Sequence, residues 1–227
     1  MAFTLNQLCL RASALTSLSD DPASPERTLM EEWANEAIAK VFQKTQCVIT
    51  NVTVGLQAGV DEYELDRGVL TVIEVAQPIT APSARITLLN SRDAIERKFL
   101  TGTGSVRYIA VLGGNLLLVS PAPDNDDATI TFYAVPLPDV VTATDDIFVT
   151  GLPTYGQRAV ECYLNARCFE HMRDYQMSGK WDSDFETECG RINITIRRQA
   201  GRTLAASRVG YPDRISTPSR NDTYPSV

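Results

Sequence analysis

Hydrophobic positions recur every three or four residues near both ends of the chain and every two residues between them. That change of period predicts helices flanking a β-rich middle. Phe3, Leu5, Leu8, Leu15 and Leu18 fit one face of a short amphipathic helix that stops near "SLSDDPASP". A clearer helix follows. Ser24-Pro25 supplies an N-cap and then a proline at the first helical position, where the missing N–H costs nothing. Leu29, Trp33, Ala37 and Val41 fall four apart, with Met30, Ala34, Ile38 and Phe42 beside them. So broad a stripe is buried against another helix or a sheet. Glu31, Glu32, Glu36 and Lys40 take the solvent side.

From Cys47 the period shortens to two. "CVITNVTVGLQAGVDEYEL" alternates, and "GVLTVIEVAQP" is a β-branched run closed by proline. "ARITLLN" reads as a further strand, feeding one or two helical turns in "SRDAIERKFL". "SVRYIAVLGGNLLLVSPAP" has the form of a hairpin, two strands around Gly113-Gly114-Asn115, residues that tolerate positive φ. "DATITFYAVP" adds another strand, so residues 49–150 read as an all-β module.

Helical spacing then returns. Tyr155, Ala159, Tyr163, Ala166 and Phe169 carry one face to about Tyr175, where "MSGK" is expected to break it. "INITI" alone reads as a strand. In a longer window Trp181, Phe185, Cys189, Ile192, Ile196 and Ala200 step along one helical face, and that pattern outweighs local β preference. The expectation is a helix from Trp181 to about Ala200, then an extended or disordered stretch rich in Pro, Ser, Thr, Asn and Asp. The fold class is therefore α+β: N-terminal helices at 1–48, a β-rich module at 49–150 and C-terminal helices at 151–200 packing on the first pair. An extended C-terminal arm at 201–227 completes it.

Charge changes the picture at that arm. The 227-residue chain has a net charge of −7, yet 7 of its 21 basic and only 2 of its 28 acidic residues lie at 191–227, which leaves +5 there and −12 before it. No stretch approaches the roughly 20 apolar residues of a membrane span. The first 22 residues have neither the basic start nor the apolar run of a secretory leader, so a soluble protein not secreted by that route is expected. The five cysteines are scattered without a C-x-x-C, and His171 is the single histidine. Zinc sites and disulfide frameworks need closer or paired spacing, so reduced, mostly buried thiols are expected.

Candidate chemistry is sparse. "TGTGS" (101–105) holds G-x-G, but a dinucleotide fingerprint needs a third glycine between a strand and a helix; here it reads as a loop. "PDNDDA" (123–128) crowds three Asp, yet Thr129 and Val135 stand where a calcium loop needs Gly and Glu, so a solvated turn is expected. His171 could serve as a general base only beside an orienting carboxylate and a nucleophile, and "CFEHMRD" offers a helix-end histidine instead. These readings point to a protein that is not an enzyme and uses no metal or cofactor.

The arginine-rich end has three readings. It could neutralise nucleic-acid phosphates, with Tyr211 and Tyr224 for stacking, although its arginines are spread singly. It could be an arm that orders on a protein partner through arginine–carboxylate pairs. It could also be a frayed terminus. The partner arm is preferred, with Arg202, Arg208, Tyr211, Arg214, Arg220 and Tyr224 as its contact residues.

Taken in order, the "WANEAIAKV" helix, "DEYELDRGVLTVIEV", "LLNSRDAIERKF", "VRYIAVLGGNLLLVSPAPDNDDATITFYAVPLP", "DDIFVTGLPTYGQRAVECYLNARCFEHMRD" and the Trp181 helix resemble the head–tail adaptor (connector) proteins of tailed bacteriophages. The resemblance spans roughly residues 3–200 and lies in the order and spacing of packing and turn features. It implies a virion structural protein of the neck, assembled from the host cytoplasm as a homo-oligomeric ring, a dodecamer. Such a ring docks under the portal protein, receives a tail or nozzle protein on its opposite face and lets double-stranded DNA through its lumen without sequence-specific binding. The acidic body would let the duplex slide. Three alternatives stay open: a tail tubular or head-completion protein, a DNA-binding packaging accessory factor that uses the arginine-rich tail, and a carboxylate-dependent hydrolase on the β module.

Overall fold

Helix α1 (Leu5–Thr16) opens with a capping box: Thr4 accepts the Gln7 N–H while Gln7 reaches back to the Thr4 backbone. Helix α2 (Pro25–Thr45) starts at the predicted Ser24 cap, whose hydroxyl accepts the Arg27 N–H at 3.1 Å. The computed structural model describes residues 3–76, 86–89, 102–126 and 129–208, with side chains through Gln199. The helical turn expected at "SRDAIERKFL" lies outside the described residues.

Seven strands follow α2: β1 (Thr50–Gly55), β2 (Glu62–Glu64), β3 (Val69–Val75), β4 (Thr87–Leu88), β5 (Tyr108–Leu112), β6 (Leu116–Ser120) and β7 (Thr129–Pro136). They form an antiparallel sheet in the order β1-β7-β3 and a second in the order β2-β6-β5-β4, whose last pair is parallel. The β5–β6 hairpin forms as predicted, Tyr108 opposite Ser120 and Leu112 opposite Leu116. At its turn Gly114 has φ +83°, and an added Cβ would come 2.9 Å from the Val69 carbonyl oxygen, so only glycine fits. That close approach lets Val69 N–H donate to the Gly114 carbonyl at 2.6 Å, clasping the hairpin to the start of β3. Both sheets share a core that includes Leu65, Val69, Ile109, Leu117, Ile130 and Phe132.

Two short 3-10 turns (Ile147–Thr150 and Thr154–Gly156) lead into α3 (Gln157–His171) and α4 (Tyr175–Arg208). The chain leaving β7 is tied back to the first helices. Asn35 on α2 donates to the Val141 carbonyl at 3.1 Å and accepts the Val141 N–H at 2.8 Å, while Leu5 and Asn6 N–H groups donate to the Asp145 and Ala143 carbonyls. α2 and α1 pack on α3 through small and branched residues such as Ala12, Ala34, Ala37, Val160 and Leu164, all fully buried. Alanines on facing helices let the backbones approach closely. Four described helices and two sheets make the α+β fold the pattern predicts.

Three local expectations are corrected. Leu15 is 55% exposed; Cys9 and Ala12 fill the buried face of α1 instead. The break between the last helices falls at Met172–Asp174, with Arg173 at φ +63°, and α4 runs straight through "MSGK". Asp174 decides this, because its carboxylate accepts the Met177 N–H at 3.1 Å and starts the helix earlier than Trp181. At the other end the helix continues past Gly201 to Arg208, so residues 201–208 are not extended. One glycine costs about 1 kcal/mol relative to alanine, and the Leu204-Ala205-Ala206 run that follows favours helix. By compactness the chain divides into residues 1–193 and 194–227, a boundary inside α4.

Candidate functional site

The six residues expected on the partner arm separate into two groups. Arg202 and Arg208 belong to the last turns of α4, whereas Tyr211, Arg214, Arg220 and Tyr224 lie outside the described residues. Of the seven arginines from 191 onward, Arg191, Arg197, Arg198, Arg202 and Arg208 are on that helix; residues 209–227 hold two arginines and two aspartates. The positive charge is therefore carried by the helix from Arg191 onward, and Arg208, in its last turn, also complements the helix dipole. The signal was present in the sequence: Leu204 falls four residues after Ala200 and continues the Ile192–Ile196 step.

His171 ends α3 with its ring 5.6 Å from the ring of Trp33, beside a cavity of about 280 Å³ that Glu36, Arg167 and Glu170 also line. Tyr163 donates to Glu36 at 2.6 Å, and Arg167 donates to the Tyr163 oxygen at 2.9 and 3.1 Å and to Glu170 at 2.5 Å. Burial and then the Glu36 carboxylate push the Tyr163 hydroxyl up, and the Tyr163 hydrogen bond holds Arg167 charged. The Tyr163–Glu36 bond and the Trp33–His171 ring contact tie α3 to α2, Arg167 and Glu170 pair within α3, and among the described residues the network holds no serine, threonine or cysteine nucleophile. Among the described residues, no hydrogen bond orients the imidazole of His171 as a general base requires.

The aspartate-rich turn also has a structural task. Asp126 accepts the Ala58 N–H at 2.7 Å, and the Pro123 carbonyl accepts the Gly59 N–H at 2.9 Å, which pins the β1–β2 connection. Among the described residues, no group of three or more His, Cys, Asp or Glu side chains gathers at metal-binding distance.

The cysteines are free thiols, four of them buried and Cys47 half-buried. Burial pushes Cys9 and Cys162 up to about 11 and Cys168 and Cys189 up to about 12, from an ordinary 9.0. A thiol that ionises later in the folded chain than in the unfolded one contributes stability that is complete below pH 9.0 and lost as pH rises towards its folded value. Stability should fall as pH rises through that window, by at most about 1.4 kcal/mol per pH unit for any one thiol. A melting temperature that stays flat from pH 9.0 upwards would show these thiols to be solvated.

What the described surface does present is exposed apolar side chains, among them Val140 and Val149 at 80% and Tyr175 at 69%. Single exposed apolar side chains are ordinary on a folded chain and do not by themselves mark a site. In a comparison with protein families, residues 4–210 match the family described as SU10 adaptor protein. The chain belongs to that adaptor family. No curated protein matches the chain significantly. Adaptors of phages are structural proteins, and membership makes this chain a virion component with capsid or tail partners. No helix among the described residues is long and apolar enough to cross a membrane.

Proposed function

We propose that this adaptor assembles into a ring in the phage neck, docked beneath the portal protein and joined on its other face to a tail or nozzle protein. Genomic DNA passes through the lumen without sequence-specific binding. The observation that carries the reading is the family match over residues 4–210, nearly the whole chain. Charge supports it: residues 1–190 carry −12, and acidic side chains that line a lumen repel phosphate and let a duplex slide. Docking to the portal falls to the C-terminal segment at 201–227, the basic end of α4 together with the residues that follow it. Many symmetric copies of a modest contact add up to firm attachment.

Electron microscopy of the purified protein, alone and mixed with portal particles, tests the ring. Deleting residues 201–227 should leave a folded subunit that no longer joins portal. Normal incorporation of that truncation would sink the docking role. Salt-sensitive binding of duplex DNA that vanishes with the same deletion would favour a packaging accessory factor instead.

A further inference from the structure

An edge strand invites pairing with another chain unless it is short, charged, bulged, covered or interrupted by proline. Three of the four sheet edges here are defended in those ways. β3 carries irregularities between Val69 and Thr71 and between Val72 and Glu74. β2 has three residues with Glu62 and Glu64 exposed, and β4 has two. β1 is different. "TNVTVG" has six residues and neither charge nor proline, and its register with β7 is unbroken from Thr50–Ala134 to Gly55–Thr129. Among the described residues β7 is its one strand partner.

β1 also lines a groove. A cavity of about 420 Å³ is lined by all six of its residues, by Glu64 to Val69 and by Pro136 at the end of β7. Val52 and Val54 are half-buried against the β core, and Leu65 and Val69 form the apolar floor. The rim is acidic. Arg67 is engaged by Asp139 at 3.0 Å and by the Leu137 carbonyl, whereas Glu64 and Asp66 have no cationic partner among the described residues.

We propose that this groove receives an extended, positively charged segment of a partner protein, which adds to β1 as a further strand. Its backbone would pair with the free edge of β1, alternate small or β-branched side chains would enter between Val52, Val54 and Leu65, and Lys or Arg would meet Glu64 and Asp66. A strand beside β1 needs about 20 Å of chain at ~3.3 Å per residue. The chain's own residues 209–227 do not suit it, since two Arg offset two Asp and three prolines interrupt the segment. The inference concerns the β module, apart from the docking role of the C-terminal segment, and rests on the chain meeting other proteins in the particle.

The test places a benzophenone photo-crosslinker at Asn51 or Thr53 and irradiates purified particles, followed by sequencing of the linked peptide. The expected product is an extended Lys- or Arg-containing segment of another protein. Combining Glu64→Lys with Asp66→Lys should cut its yield at least about tenfold, because like charges then face each other across the groove. The melting temperature should not move, since both carboxylates are exposed and have no cationic partner among the described residues. An absent cross-link, one to a helical or acidic segment, one to a second copy of this chain, or a yield unchanged by charge reversal would overturn the proposal. Mass spectrometry of the same particles reports whether the chain is incorporated, which separates failure of this inference from failure of the adaptor reading.

Discussion

Glu31→Ala should cost about 3 kcal/mol of folding stability, the lower end of the range for stranding a buried charge. Arg27 on the first turn of α2 is 3% exposed. Its Nε donates to Glu31 at 2.8 Å and its Nη2 to Asn6 at 2.9 Å, while Nη1 is buried with no partner. Without Glu31 the guanidinium would keep its charge and lose its one anionic partner among the described residues. Glu31 itself is 32% exposed, which places the cost at the lower end. Arg27→Met removes the charge and its unsatisfied N–H together and should fall within about 1 kcal/mol of the parent chain. Denaturant titration of both variants and the double variant checks this. Equal losses for the two single variants would mean that the pair stabilises the bundle as an ordinary ion pair does.

Phe42→Ala and Phe132→Ala should each cost about 3–5 kcal/mol, because both rings are fully buried and a cavity would replace each. At about 2–4 °C per kcal/mol for a chain of this size, each should lower the melting temperature by roughly 10 °C. Phe42 lies in the bundle and Phe132 in the β core, yet residues 1–193 are one compact unit. Both substitutions should therefore shift one shared calorimetric transition. A variant that splits the melting curve, with the bundle holding while the β module unfolds, would show two independent cores.

How far the pattern could be read depended on where each element is specified. Ser24-Pro25 and the Gly113-Gly114 hairpin are local devices, and both stand where the residues placed them. "INITI" is helical because a face running from Phe185 through Ile192 is buried, a property of the longer window. Arg27 could not be found that way. An arginine in the first turn of a helix reads as solvated, and only the arrival of α1 beside it, with Asn6 in reach, closes it off from water. The defect of β1 was hidden for a similar reason. Its composition is visible in six letters, but being an edge depends on β7 pairing with it on one side and no described strand on the other.

By itself the sequence determined the alternation of periods, hence an α+β fold with the β module between helices, and it placed the charge reversal near the C-terminus. It could not say what carries that charge. The weighing of Gly201 against the helix-forming residues after it is a balance of about 1 kcal/mol, too fine for a pattern of apolar spacing to decide. The structure resolved it by carrying α4 to Arg208, so five of the seven arginines are helical and the basic feature is a stretch of helix rather than an extended arm. The tertiary structure also decided which strands have free edges, because strand order is set by pairings between residues far apart in the chain, such as Thr50 with Ala134.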